Sequence, residues 1–189
     1  MVRDAEATKI RILDAAEDEF ARYGIAGGRV DRIAENASAN KAMIYRYFES
    51  KDRLFDEVFA QRVAAFSDDG EFDADDLPGY AGRSFDVYEK YPNTLRLTNW
   101  HILERGDSED LRILVDAHAA KLADIERAQG AGTLPADRSP IEILTTVRAL
   151  AMAWHTLTPE MSRIALPSVE RRREIVVENV RALLTPRPS

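Results

Sequence analysis

Six side chains in a short stretch, Arg29, Lys41, Tyr45, Arg46, Tyr47 and Lys51, supply cationic and hydroxyl hydrogen-bond donors. Donors of these types bind phosphate oxygens and base edges, so the chemistry they suit is non-covalent capture of a polyanion. Lys41, Ala42, Met43 and Tyr45 fall where bases can be read, with Met43 offering an apolar contact to a thymine methyl. Tyr47, Lys51 and Arg29 are the expected phosphate contacts, Arg46 points outward with them, and Asn40 caps the helix that carries them. Covalent chemistry finds no comparable support. There is no cysteine, which excludes disulfides, thiolate metal sites and cysteine nucleophiles. Ser38 and Lys41 fit an S-x-x-K pattern, but without its companion motifs and across a turn, so the match is a coincidence. Gly24, Gly27 and Gly28 match neither a dinucleotide nor a phosphate-loop pattern. The histidines at 101, 118 and 155 sit on separate helices with no i,i+3 or i,i+4 partner, so no metal or other cofactor is expected.

The elements that must hold these donors follow from the spacing of apolar residues. Val30, Ile33, Ala34 and Ala37 share one face of a helix over residues 30–37, and Ile44 and Phe48 bury one side of a helix over 41–48. Ser38, Ala39 and Asn40 form the break between them. Two short amphipathic helices joined by a tripeptide, with small Ala34 at the crossing, make a helix-turn-helix pattern. Upstream, Leu13, Ala16, Phe20 and Tyr23 stripe a helix over 8–23 that closes at Gly24. Downstream, Leu54, Phe55, Val58, Phe59, Arg62 and Val63 stripe a fourth over 51–66, whose first-turn N–H groups can hold a further phosphate.

The run I-A-E-x-A-x-x-x-K-A-x-I-Y-R-Y-F-x-S-K-x-x-L from Ile33, with ILDAAEDEFARYG before it, resembles the DNA-binding motif of the TetR family of bacterial transcriptional regulators. The resemblance covers roughly residues 9–55. Three positions depart from the family pattern: Ser38 stands where glycine is usual in the turn, Arg29 replaces a threonine, and Met43 a threonine or serine. A left-handed turn at 38 suits serine less than glycine.

Charge distribution fits a polyanion partner despite a net charge of −7. Residues 1–55 carry 10 basic and 10 acidic side chains, so the later residues hold the whole excess, and residues 22–53 carry 7 basic against 4 acidic. The anion-binding surface therefore belongs to the N-terminal part. With 45% apolar and 31% charged residues the chain is globular, and no apolar run approaches a signal or membrane-spanning helix; a cytoplasmic protein without membrane contact is expected. Six acids within SDDGEFDADD, residues 67–76, form a connector whose spacing does not fit a calcium loop.

Beyond the connector the pattern is helical throughout: 78–91, 93–106, 108–129 with Ser108 as N-cap, 140–157, and 167–184, ahead of a short tail. The expected fold is all-α with about nine helices, an N-terminal three-helix domain at 1–55 and a helical domain at 56–189. The last two helices are apolar on most sides, and a homodimer seam built from Leu144, Val147, Ala151, Val176, Val180 and Leu183 would cover them. The resemblance implies the same, since TetR-like dimers pair their last two long helices. Trp100, Glu104, His118, Trp154 and His155 are the candidate lining of a small-molecule cavity. His118 within the apolar stripe Leu111, Leu114, Val115, Leu122, Ile125 also reads as a core histidine, and Trp100 and Trp154 as packing. By resemblance the chain is a ligand-responsive regulator, a repressor that binds a pseudo-palindromic double-stranded DNA operator as a dimer and is released by a small-molecule effector, with the fourth helix carrying the change. The competing reading is a dimeric small-molecule-binding helical protein without operator binding. No nucleophile, ligand cluster or phosphate loop supports an enzyme.

Overall fold

The computed structural model describes residues 2–69, 71–105 and 112–185. Among them every regular element is helical. The ten α-helices are α1 (Val2–Gly27), α2 (Val30–Asn36), α3 (Lys41–Phe48), α4 (Lys51–Asp69), α5 (Leu77–Lys90), α6 (Pro92–Arg105), α7 (Arg112–Gly130), α8 (Pro140–Met152), α9 (Pro159–Ser162) and α10 (Val169–Leu183). The N-cap expected at Ser108 and the apolar positions Val63, Leu111, Leu114 and Val115 lie outside the described side chains.

Two compact units result, and they do not follow the division at residue 55. α1 to α4 cluster with α6, whereas α5 clusters with α7 to α10. The reason α6 joins the first group is polar as well as apolar. Trp100 and Glu104 bond to α1, and Arg105 forks to Asp52 at 2.8 Å and to Asp56 on α4.

The first unit is built on Phe20, Phe55 and Ile12, all fully buried, with Phe20 meeting Phe55 edge-on at 5.4 Å. His101 stacks on Phe59 with ring centroids 4.3 Å apart, so this histidine belongs to an aromatic core rather than to a metal site. Phe20 continues the stripe of α1, but Tyr23 does not: it is 39% exposed, and the Arg32 guanidinium lies over its ring at 4.4 Å. α1 also runs past its expected end. Gly24, at φ 71° and ψ −176°, breaks it, and a further turn follows to Gly27.

In the second unit α5 is the central helix, packed by both α8 and α10. Leu77, Tyr80, Ala81, Phe85 and Tyr88 give it a broad buried face. α8 starts at a capping box, in which the Ser139 N–H donates to Glu142 at 2.7 Å, and with Pro140 in its first turn. It stops at Met152 instead of continuing to 157: a 3-10 turn at Ala153–His155 follows, then the one-turn α9.

Most of the residues expected along a dimer seam are buried by packing within a single chain. Leu144, Val147, Ala151, Val176 and Val180 are each at most 2% exposed within a single chain. They are the contact surface of α8 and α10 inside their own unit, so little of them is left for a partner. Leu183 is half-buried and lines a surface groove of about 560 Å³ with Ile141, Glu142 and Thr145. The apolar surface that α8 and the following segment turn outward consists of other residues, chiefly Ile141, Met161 and Ile164, each more than half exposed.

Candidate nucleic-acid interface

The helix-turn-helix begins with an anchor the apolar pattern did not single out. Glu19 of α1 is buried, and its carboxylate accepts from the Arg29 backbone N–H at 2.8 Å and from two nitrogens of the Arg32 guanidinium. One acid thus satisfies an orphan N–H at the start of α2 and ties the body of that helix to α1. Burial pushes the Glu19 carboxyl up, but the bonds from Arg32 and Arg29 outweigh it and hold the group below its ordinary range. A glutamate following an acidic pair on a helix face looks solvated in the sequence. Only the arrival of Arg32 from the next helix reveals its role.

Val30, Ile33 and Ala34 bury the inner side of α2, as their spacing predicts, and Ala37 is buried at its end. The turn then reverses at Ser38, whose φ of 49° is left-handed. Glycine takes this region freely, whereas a Cβ makes it costly. Asn40 caps α3 with its side-chain oxygen, which accepts from the Met43 N–H at 2.8 Å. Ile44 and Phe48 are buried beneath α3. The opposite side presents Lys41, Ala42, Tyr45 and Arg46 to solvent, with Met43 and Tyr47 half-buried at its edges. The face carrying base-reading types is therefore open to solvent, and Tyr45 is 43% exposed.

Two of the expected contacts are already engaged. The Lys41 ammonium pairs with Asp31 of α2 at 2.9 Å, and the hydrogen bond to that carboxylate, then its charge, raises the lysine pKa. The Lys51 ammonium donates to the Ala26 and Gly28 carbonyls at 3.3 and 3.2 Å. It therefore clamps the loop between α1 and α2 and keeps one of its three N–H donors for another acceptor. Arg29 is exposed at the same loop, and Arg46 lies over the Tyr47 ring at 5.3 Å. Glu49, at φ 64°, turns the chain into α4, where the Ser50 hydroxyl accepts from the Arg53 N–H at 3.1 Å. That cap occupies a first-turn N–H, and Asp52 beside it makes the turn less receptive to an anion.

The candidate cavity residues separate into two groups. Trp100 and Glu104 spend their polar atoms on α1: the indole N–H donates to the Ala21 carbonyl at 3.3 Å, and the carboxylate accepts from the Ile25 and Ala26 N–H groups at 3.2 and 2.8 Å. Both therefore act as supports of α1. The other three belong to the second unit. His155, in the 3-10 turn, bonds Glu89 through Nε2 at 3.1 Å and sits against the rings of Phe85 and Tyr88, with centroids 5.0 and 5.5 Å away. Glu89 also receives Arg172 at 3.2 Å. Burial pulls the imidazole below its ordinary pKa of 6.5 against the raising effect of Glu89, with Arg172 helping to lower it. His118 of α7 meets the Arg148 guanidinium of α8. Trp154 is half-buried beside His155. Among the described residues no group of acids and histidines could hold a metal ion, and no helix is long and apolar enough to cross a membrane.

Comparison with known proteins gives this geometry a context. Residues 12–58 match the profile of the bacterial regulatory proteins of the tetR family, and residues 76–182 match a tetracyclin repressor-like C-terminal domain. The HTH-type transcriptional repressor SCO4008 of Streptomyces coelicolor is 37% identical over 164 residues, covering 86% of this chain and 85% of that one. The HTH-type transcriptional regulator RutR of Escherichia coli is 26% identical, over 95% of this chain and 93% of its own. The crystal structure of SCO4942 from Streptomyces coelicolor superposes with a TM-score of 0.86 at 38% identity, covering 96% of this chain and 99% of that one. These relatives are transcriptional regulators by name, not enzymes.

Proposed function

Because this chain belongs to the TetR family of bacterial transcriptional regulators, we propose that it is a repressor which binds a pseudo-palindromic operator as a homodimer and leaves it when a small-molecule effector binds. The observation that carries the DNA-binding half is the two-sidedness of α3: Ile44 and Phe48 anchor it from below while Lys41, Ala42, Tyr45 and Arg46 face solvent above. A helix so fixed can lie in a major groove with its N-terminal half against base edges. Lys41, Ala42, Met43 and Tyr45 are the readers in this proposal; Arg29, Arg46, Tyr47 and Lys51 hold phosphates, and Asn40 sets the start of the helix. The N-terminal division, residues 1–55, reads DNA. The division at 56–189 binds effector and partner, in keeping with the span of the second family match.

The effector is assigned to the second unit, near His118, Trp154 and His155, where aromatic rings lie beside a few polar groups. An effector that releases DNA must bind the DNA-incompetent state more tightly by the coupling energy, about 1–3 kcal/mol. Dimerisation is assigned to the outward sides of α8 and α10.

The test is fluorescence anisotropy of the purified protein with duplex DNA flanking its own gene, at two salt concentrations, with unrelated DNA as competitor. Tight, competitor-resistant binding that is lost in Tyr45→Ala is the expected outcome. Weak binding, equal for the two DNAs and indifferent to the substitution on wider genomic fragments as well, would sink operator recognition and favour a helical small-molecule-binding dimer.

A further inference from the structure

The elbow at residues 24–29, between α1 and α2, is held by charged side chains rather than by apolar packing alone. In an unbroken helix the Ile25 N–H would donate to the Ala21 carbonyl and the Ala26 N–H to that of Arg22. At Gly24 the helix departs from that ladder, and α6 supplies replacements for the bonds given up. The Trp100 indole N–H takes the Ala21 carbonyl at 3.3 Å, while the Glu104 carboxylate takes the Ile25 and Ala26 N–H groups. α6 thus offers a donor and an acceptor to the two sides of the same opened rung. Space agrees with polarity: a Cβ at position 24 would stand 2.8 Å from the Trp100 ring and nearer still to Glu104, so only glycine admits α6 here. Two further charges complete the clamp. Lys51 donates to the Ala26 and Gly28 carbonyls, and Glu19 accepts from the Arg29 N–H.

We propose that Trp100 and Glu104 are positioning residues for DNA binding: from α6 they hold α1 broken at Gly24 and so set the direction in which α2, and with it α3, leaves the unit. Glu104 acts as an N-cap supplied from another helix for the short segment after the break. Without it the Ile25 and Ala26 N–H groups are left without an acceptor and open to solvent, and the elbow then samples directions that misplace the recognition face. The inference rests on the DNA-binding reading above, but its first step concerns the free protein and is measured without DNA.

Two readouts on the full-length protein decide it. The first is amide hydrogen exchange at Ile25 and Ala26 by NMR. The second is affinity for a duplex that the wild type itself recovers from a random-sequence pool. Glu104→Ala is expected to speed exchange at the two amides about tenfold or more, the scale of a lost bond to a charged acceptor. It should weaken the duplex about tenfold while the melting temperature moves by only a few degrees. Glu104→Gln, which keeps one acceptor oxygen but turns an amide NH2 towards the other N–H, should restore protection at only one of the two amides and recover the affinity in part. Gly24→Ala, which expels α6 from the elbow, should reproduce them, and Glu104→Ala in that background should add little. Unchanged exchange in Glu104→Ala overturns the proposal at its first step. Faster exchange with unchanged affinity overturns the positioning role. A wild type that recovers no duplex is a failure of the DNA-binding reading and removes the role in DNA binding with it, yet the exchange result still tells whether Glu104 holds the elbow.

Discussion

At the scale of single residues, the departures from the family pattern are where this chain shows strain and choice. Ser38 takes φ 49° in the turn, a conformation that costs a non-glycine residue about 1–2 kcal/mol. Replacing it by glycine removes that cost but returns backbone freedom to the unfolded chain, worth about 0.5–1 kcal/mol. The expected net gain is about 0.5–1 kcal/mol, read as a rise of about 1–4 °C in melting temperature. A fall would mean that the Ser38 hydroxyl contributes a bond that outweighs the strain. Lys41 poses a different question, because Asp31 holds its ammonium at 2.9 Å on an exposed surface. Asp31→Asn frees the lysine and removes a negative charge from the proposed DNA-facing side. Duplex affinity should therefore rise several-fold at low salt, with the difference shrinking as salt screens it. Weaker binding would show that Asp31 aims Lys41 at its base and is part of the reader. The anisotropy assay, repeated across a salt series, separates these outcomes.

At the scale of elements, periodicity located the helices and missed what joins them. The inner faces of α2 and α3 were legible because Val30, Ile33, Ala34, Ile44 and Phe48 recur at helical spacing and all are buried. Asn40 was legible as a cap because its side-chain chemistry is local to the first turn. Glu19, Glu104 and Lys51 were not, since each acts on backbone groups 10 to 79 residues away, and no spacing rule reports such a partner. The early end of α8 was hidden for a related reason: Met152, Trp154 and Leu157 continue an apolar pattern that a 3-10 turn serves equally well. That turn carries His155 into the packing between α5 and α10, which yields a pH dependence. Its folded pKa lies below the ordinary 6.5, burial being the main cause, so the folded state holds the imidazole neutral. The stabilisation is complete above about pH 6.5 and is lost as the pH falls through that value towards the folded pKa. Between pH 7.5 and 5.5 the melting temperature should fall, and in His155→Gln that part of the fall should vanish. An identical pH profile in the two proteins would mean that the imidazole pKa is the same folded and unfolded, and a steeper fall in His155→Gln would mean that Glu89 keeps it charged when folded.

At the scale of the whole molecule, burial within one chain divides the apolar residues of α8 into two groups with opposite expectations. Val147 is fully buried beneath α8, whereas Ile141, one and two-thirds turns earlier, is 54% exposed and borders the groove that Leu183 also lines. A residue already committed to the core of its own unit cannot be the main contact of a partner, so the proposed seam is assigned to the outward side. Introducing a charge distinguishes the two. Val147→Asp places an unpaired carboxylate in the core and should deplete folded protein altogether. Ile141→Asp should leave the helical circular dichroism intact while light scattering reports a monomer. Because a monomer offers one recognition helix to a site with two halves, the same variant should lose about two or more orders of magnitude in affinity for the full operator and little for an isolated half-site. If Ile141→Asp stays dimeric, the interface lies elsewhere, and Met161 and Ile164, exposed beyond the end of α8, are the next positions to charge.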